Sequence, residues 1–150
     1  MSEIILFDLD GTLTDSAPGI TQCVQYALRH FGIDEPDLKK LECFVGPPLK
    51  EMFMEYAGFS ESQAEEAVAK YRERYTEKGI FENAVYEGIP ELLQLCRDRG
   101  RVLGVASSKP QVFVEQILKH FNLRQYFEVV VGAELDGTRT DKAEVIEEAL

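Results

Sequence analysis

Ile4-Ile5-Leu6-Phe7 is an uninterrupted apolar run that leads at once into Asp8-Leu9-Asp10-Gly11-Thr12. No other stretch restricts the fold so tightly. Four apolar residues without alternation predict a strand buried on both faces, as in a parallel sheet flanked by helices. Two carboxylates then stand where the chain leaves the core, at the edge where open parallel sheets bind ligands. Residues i and i+2 share one face of an extended strand, so Asp8 and Asp10 are expected to address one site. Gly11 permits the sharp turn that follows. Neighbouring carboxylates repel unless a cation or a shared proton relieves them. The economical reading is a hard divalent cation, Mg²⁺, which takes oxygen ligands and accompanies phosphorylated substrates.

The rest of the chain falls into two patterns. From Ser16 to Val85 the periodicity is helical throughout. Ser16-Ala17-Pro18 reads as a helix start, with Ile20, Val24, Ala27, Leu28 and Phe31 at helical spacing and Gly32 as a stop. A short helix is expected over Asp37 to Cys43, broken by Gly46-Pro47-Pro48, and a third over Leu49 to Ala57. Ser60 and Gln63 form a capping-box pattern opening a helix that should reach Lys78 before Gly79. Beyond Val85, helix and strand alternate: a helix over Pro90 to Arg99, a strand over Val102 to Ala106, a helix over Val112 to His120, a strand over Glu128 to Val131, and a helix from Thr140 to Leu150. Alternation of this kind implies a parallel sheet with right-handed crossovers. The helical block lies between the first strand and the rest of the α/β pattern, as an insertion would.

The first segment resembles the opening motif of the haloacid-dehalogenase-like (HAD) hydrolase superfamily, an apolar run followed by Asp-x-Asp-Gly-Thr. The resemblance implies an α/β fold with a Rossmann-like parallel core, residues 1–15 and 86–150, and an inserted helical cap of the C1 type, residues 16–85. It further implies that Asp8 is the nucleophile, forming an aspartyl-phosphate, and that Asp10 is the general acid and base. Mg²⁺ is then held by the Asp8 carboxylate, the Asp10 backbone carbonyl and a downstream acid. The strand ending in Ala106-Ser107-Ser108-Lys109 resembles the second motif, which makes Ser107 the phosphate ligand with help from the Ser108 N–H. Taken alone, a Ser-Ser pair after a strand is turn chemistry. Lys142, in Thr140-Asp141-Lys142-Ala143, matches the lysine that neutralises nucleophile and phosphate. A solvated lysine there would sit unfavourably at a helix N-terminus. Lys109 reads equally as a substrate contact or a surface lysine. Gly46 and Pro47 resemble the specificity loop of the phosphoglycolate-phosphatase-like subgroup, or are an ordinary helix–helix connection. His30 and His120 read as capping or surface residues, and Arg72 and Arg74 as a solvated helix face.

An acid at Asp10 favours phosphate-ester chemistry, because phosphonatase and dehalogenase relatives lack it. Within the phosphatases the resemblance is to phosphoglycolate phosphatase or 5′-nucleotidase. A β-phosphoglucomutase-like sugar phosphate mutase keeps both aspartates and is the alternative. The family's fourth motif, Gly-Asp and a later Asp, has no counterpart before Leu150, and Val145, Ile146, Ala149 and Leu150 share an apolar face with no partner. The expectation is a core incomplete at its C-terminus and a 150-residue chain that is an inactive fragment. A non-catalytic fragment or binding module is the second class of reading.

Composition narrows the partners. A net charge of −11, with no Lys/Arg-rich stripe, excludes a nucleic-acid surface. The same field repels a small phosphorylated substrate, so local cations must prevail at the site. Cys23, Cys43 and Cys96 are odd in number and form no CxxC, which reads as buried reduced thiols in a cytoplasmic protein. No signal-peptide pattern precedes the first strand, and no apolar run approaches the ~18 residues of a membrane span. Nothing in the sequence sets the oligomeric state.

Overall fold

The structure is a computed structural model that describes residues 4–134. The chain divides into two compact units. One is built from the described residues up to Asp15 and from Ala84 onward, the other from Ser16–Asn83.

In the first unit, β1 (Ile4–Phe7), β4 (Val102–Pro110) and β5 (Val129–Ala133) form a parallel sheet in the order β1-β4-β5. The register pairs Phe7 with Val105 and Ala106 with Val131, so β1 and β4 end at one edge. Helix α4 (Ile89–Asp98) packs on β4, and α5 (Gln111–His120) packs on β4 and β5. Leu93, Leu103, Val105, Val114, Ile117 and Leu118 are buried between them. Val, Ile and Leu suit this place because a parallel strand covered by helices sees apolar surroundings along its length. β1 departs from the expectation of a fully buried strand. Ile4 is exposed and Ile5, Leu6 and Phe7 are half-buried, because among the described residues β1 bonds to β4 alone.

Two further strands fall where the sequence predicts none. β2 (Thr14–Asp15) pairs antiparallel with β3 (Ala84–Val85), and the Tyr86 N–H donates to the Leu13 carbonyl at 3.2 Å. Two-residue strands carry no periodicity, so their pairing is tertiary information. The β4 strand also runs four residues past its expected end, through Ser107-Ser108-Lys109-Pro110, with a register irregularity between Ala106 and Pro110.

The second unit is helical. Its elements are α1 (Ala17–His30), a 3₁₀ turn over Leu38–Phe44, α2 (Leu49–Ala57), α3 (Glu61–Tyr75) and a short 3₁₀ turn over Gly79–Phe81. The Ser60/Gln63 capping box is present in full, at 3.2 and 3.0 Å. Helix α3 ends at Tyr75, short of the expected Lys78. Phe44 and Phe53 pack at 5.0 Å between ring centroids, and Tyr71 stacks on Tyr75 at 5.3 Å.

Arg74 is not on a solvated face, contrary to the sequence reading. Its guanidinium makes a bidentate pair with Glu82 (2.6 and 3.2 Å) and donates to Gln22 Oε1 and Cys23 Sγ. The Glu82 carboxylate raises the guanidinium's already high pKa, and the pair ties α3 to the following loop. Arg72 is half-buried, and burial lowers its pKa. The cysteines divide in the same way: Cys23 is buried as expected, Cys96 is partly buried, and Cys43 is exposed on the Leu38–Phe44 turn. Among the described residues no helix is long and apolar enough to cross a membrane.

Candidate active site

The first unit gathers its chemical residues where β1 and β4 end. Asp8 directly follows β1, and its Oδ1 accepts the Leu9 N–H at 2.9 Å. The chain then closes a tight loop. Leu9 offers its carbonyl to three N–H groups, those of Thr12, Leu13 and Thr14, and the Gly11 N–H donates to Thr14 O at 2.9 Å. Gly11 has φ +79°, a conformation that costs other L-residues about 1 kcal/mol or more. Leu9 and Leu13 are fully buried. The loop is therefore a rigid holder for Asp10 rather than a mobile connection.

Asp10 is 9% exposed. Its Oδ2 lies 3.4 Å from Lys109 Nζ, and each of these side chains is 7% exposed. Its Oδ1 is buried with no hydrogen-bond partner among the described residues. Lys109 is thus neither a surface lysine nor an exposed substrate contact: it is a buried cation against the second aspartate. That pairing joins the ends of two strands distant in sequence, so no local pattern announces it.

Ser107, at 2% exposure, lies in the last part of β4, where the register becomes irregular. Its Oγ accepts the Lys109 N–H at 3.1 Å, which leaves the hydroxyl hydrogen to act as donor. Ser108 follows, half-buried. Gln111, at the start of α5, carries no mark in the sequence of its part here. Its side-chain amide donates to Val130 O and accepts the Gly132 N–H, both at 2.7 Å, and so clamps the end of β4 to β5 as a further ladder rung would. The clamp requires glycine at position 132. A Cβ there would lie 2.6 Å from Lys109 O and 2.7 Å from Gln111 Cα, both in the main chain. Gly132→Ala should therefore cost about 1–3 kcal/mol of stability, seen as a lowered denaturation midpoint. An unchanged midpoint would contradict this packing.

Among the described residues no cluster of three or more His, Cys, Asp or Glu side chains is arranged to hold a metal. Asp8 offers a carboxylate and Asp10 a backbone carbonyl, both oxygen donors. That set suits Mg²⁺, which is held by one or two protein carboxylates together with substrate phosphate. It does not suit a structural zinc ion, which takes Cys and His. Gly46, with φ +104°, and Pro47 lie in the helical unit, in the connection before α2. Lys142 lies outside the described residues.

Comparison with known proteins identifies the relatives of this chain. The family model for the haloacid dehalogenase-like hydrolase matches residues 5–150. A 5′-nucleotidase of Pseudomonas aeruginosa is 56% identical over 97% of this chain and 66% of its own length. The tyrosine-protein kinase PtkA of Mycobacterium tuberculosis is 43% identical over 99% of this chain and 50% of its own length. A phosphoglycolate phosphatase of Aquifex aeolicus is 30% identical over 91% of this chain and 63% of its own length. The crystal structure of a predicted phosphatase from Clostridium acetobutylicum superposes with a TM-score of 0.97 at 52% identity, covering 99% of this chain and 69% of that one. The chain thus spans between half and about two thirds of the curated relatives it matches.

Proposed function

The chain belongs to the haloacid dehalogenase-like hydrolase family, and we propose that the protein carrying it is a Mg²⁺-dependent phosphatase of small phosphorylated metabolites, with 5′-nucleotides as the favoured class. The observation that carries this reading is the state of Asp10. One carboxylate oxygen is held by Lys109 and the other is buried with no partner among the described residues. An acceptor left this way costs about 1–3 kcal/mol unless a ligand completes it. A water molecule, or the hydroxyl of the departing alcohol, would donate to it.

The chemistry follows in two steps. Asp8 attacks phosphorus while the bond to the leaving oxygen breaks, and Asp10 gives that oxygen its proton. Water then loses a proton to Asp10 and attacks the aspartyl-phosphate, releasing inorganic phosphate and restoring the Asp8 carboxylate. The Ser107 hydroxyl donates to a phosphoryl oxygen in both steps. Lys142 and the Ser108 N–H are further phosphate ligands in this reading. The Asp8 carboxylate and the Asp10 backbone carbonyl would hold Mg²⁺, because Lys109 already engages the Asp10 side chain. When bound, the cation neutralises charge between Asp8 and the incoming phosphate.

We read the helical unit as a cap that sets substrate choice, with Gly46 and Pro47 in its specificity loop, and the protein as cytoplasmic. Nucleotides are favoured over phosphoglycolate because the named nucleotidase is 56% identical and the phosphoglycolate phosphatase 30%. A partial span of its relatives leads us to expect impaired turnover from the 150 residues alone. The test is phosphate release from a panel of nucleoside 5′-monophosphates, phosphoglycolate and sugar phosphates, with isomerisation and transfer to other hydroxyls followed in parallel. Fastest release from the nucleotides is expected. Isomerisation without net phosphate release, or transfer to a protein hydroxyl in preference to water, would overturn the proposal.

A further inference from the structure

We infer that Lys109 is a positioning residue for Asp10: its ammonium pins Oδ2 and so commits Oδ1 to the proton that passes to and from the reacting oxygen. This rests on the two-aspartate reading above. The geometry divides the carboxylate. Oδ2 stands 3.4 Å from Lys109 Nζ with both side chains 7% exposed, whereas Oδ1 has no partner among the described residues. A carboxylate has two equivalent oxygens and a soft terminal torsion, so without a tie either oxygen could face the reactant. An ion pair at 3.4 Å between two buried side chains favours one of the two orientations.

Lys109 is itself held in place. Its own N–H is bonded to Ser107 Oγ, and the next turn is clamped to β5 by Gln111. The ammonium is thus carried by rigid strand-end backbone, as a supporting group must be to orient another within a fraction of an ångström. The competing role, direct binding of the phosphoryl group, would use the same charge differently and predicts different kinetics.

The experiment compares Lys109→Met and Asp10→Asn in the protein that carries this chain. Two substrates are used, a nucleoside 5′-monophosphate, whose leaving alkoxide needs a proton, and p-nitrophenyl phosphate, whose leaving group does not. The quantity read is kcat/KM, which reports steps up to departure of the leaving group and leaves out hydrolysis of the aspartyl-phosphate. Lys109→Met should lower kcat/KM on the nucleotide by about tenfold or more and on p-nitrophenyl phosphate by about threefold or less, in the pattern of Asp10→Asn. The double variant should be no worse than Asp10→Asn alone. Inhibition by inorganic phosphate should be unchanged. A crystal structure of Lys109→Met should show the Asp10 carboxylate rotated from its position.

Equal losses on both substrates, weakened phosphate inhibition or additive effects would assign Lys109 to the phosphate instead. An unmoved Asp10 carboxylate would remove the positioning role outright, with no need of turnover. Should Asp10→Asn itself leave nucleotide turnover intact, the two-aspartate reading fails first, and the two failures are told apart.

Discussion

Asp8→Asn should lower phosphate release by at least about 10⁴-fold, or about 5 kcal/mol of transition-state stabilisation, while the protein stays folded. The amide keeps the size and shape of the carboxylate and can still accept the Leu9 N–H, which Asp8 Oδ1 takes at 2.9 Å. It removes the anionic nucleophile and half of the local negative charge. Thermal stability in the absence of divalent cations should change little, because the isosteric amide leaves the packing of the loop as it was. Loss of activity with a maintained melting temperature separates chemistry from folding. A variant that unfolds, or one that turns over normally, would contradict the assignment.

Removal of divalent cations by a chelator should bring an equally large loss, reversed by adding Mg²⁺. A second readout does not depend on turnover. Ligand that binds only the folded state stabilises it by RT ln(1 + [L]/Kd), about 1.4 kcal/mol at tenfold excess over Kd. In a protein of roughly 150–250 residues that raises the melting temperature by about 3–6 °C. Asp8→Asn should abolish most of the rise, since it takes away the charged oxygen ligand. Arg74 and Glu82, whose ion pair lies in the helical unit, should contribute nothing to it. An Mg²⁺ response that survives Asp8→Asn would place the cation elsewhere.

These expectations depend on features that differ in how visible they are from sequence. The strand-to-loop passage was readable because it is local. An apolar run, two acids at i and i+2, and a glycine able to take φ +79° are all properties of adjacent residues. Helix α2 and the Ser60/Gln63 box were readable for the same reason: capping and helical spacing are short-range. What escaped was set by tertiary contact. Lys109 and Gln111 look like ordinary polar residues around a proline, yet one is buried against Asp10 and the other bridges β5. Arg74 looked solvated because an arginine between tyrosines carries no sign of the Glu82 it meets across a turn. The burial of Leu9 and Leu13 under the acidic loop was likewise hidden, since loop residues are usually at the surface. The β2–β3 ribbon joins residues on either side of a whole helical unit, and no window of sequence contains both.

The central claim, that Asp8 takes up the phosphoryl group, is tested most directly by trapping the intermediate. The protein is mixed with a nucleoside 5′-monophosphate and Mg²⁺, quenched in acid within a single turnover, and mapped by peptide mass spectrometry. A phosphoryl group on the peptide spanning Asp8, absent from Asp8→Asn and accumulating in Asp10→Asn when the leaving group is p-nitrophenol, is the result expected. A phosphoryl group on another residue, or turnover with no acid-stable phosphorylated peptide at any time, would contradict it.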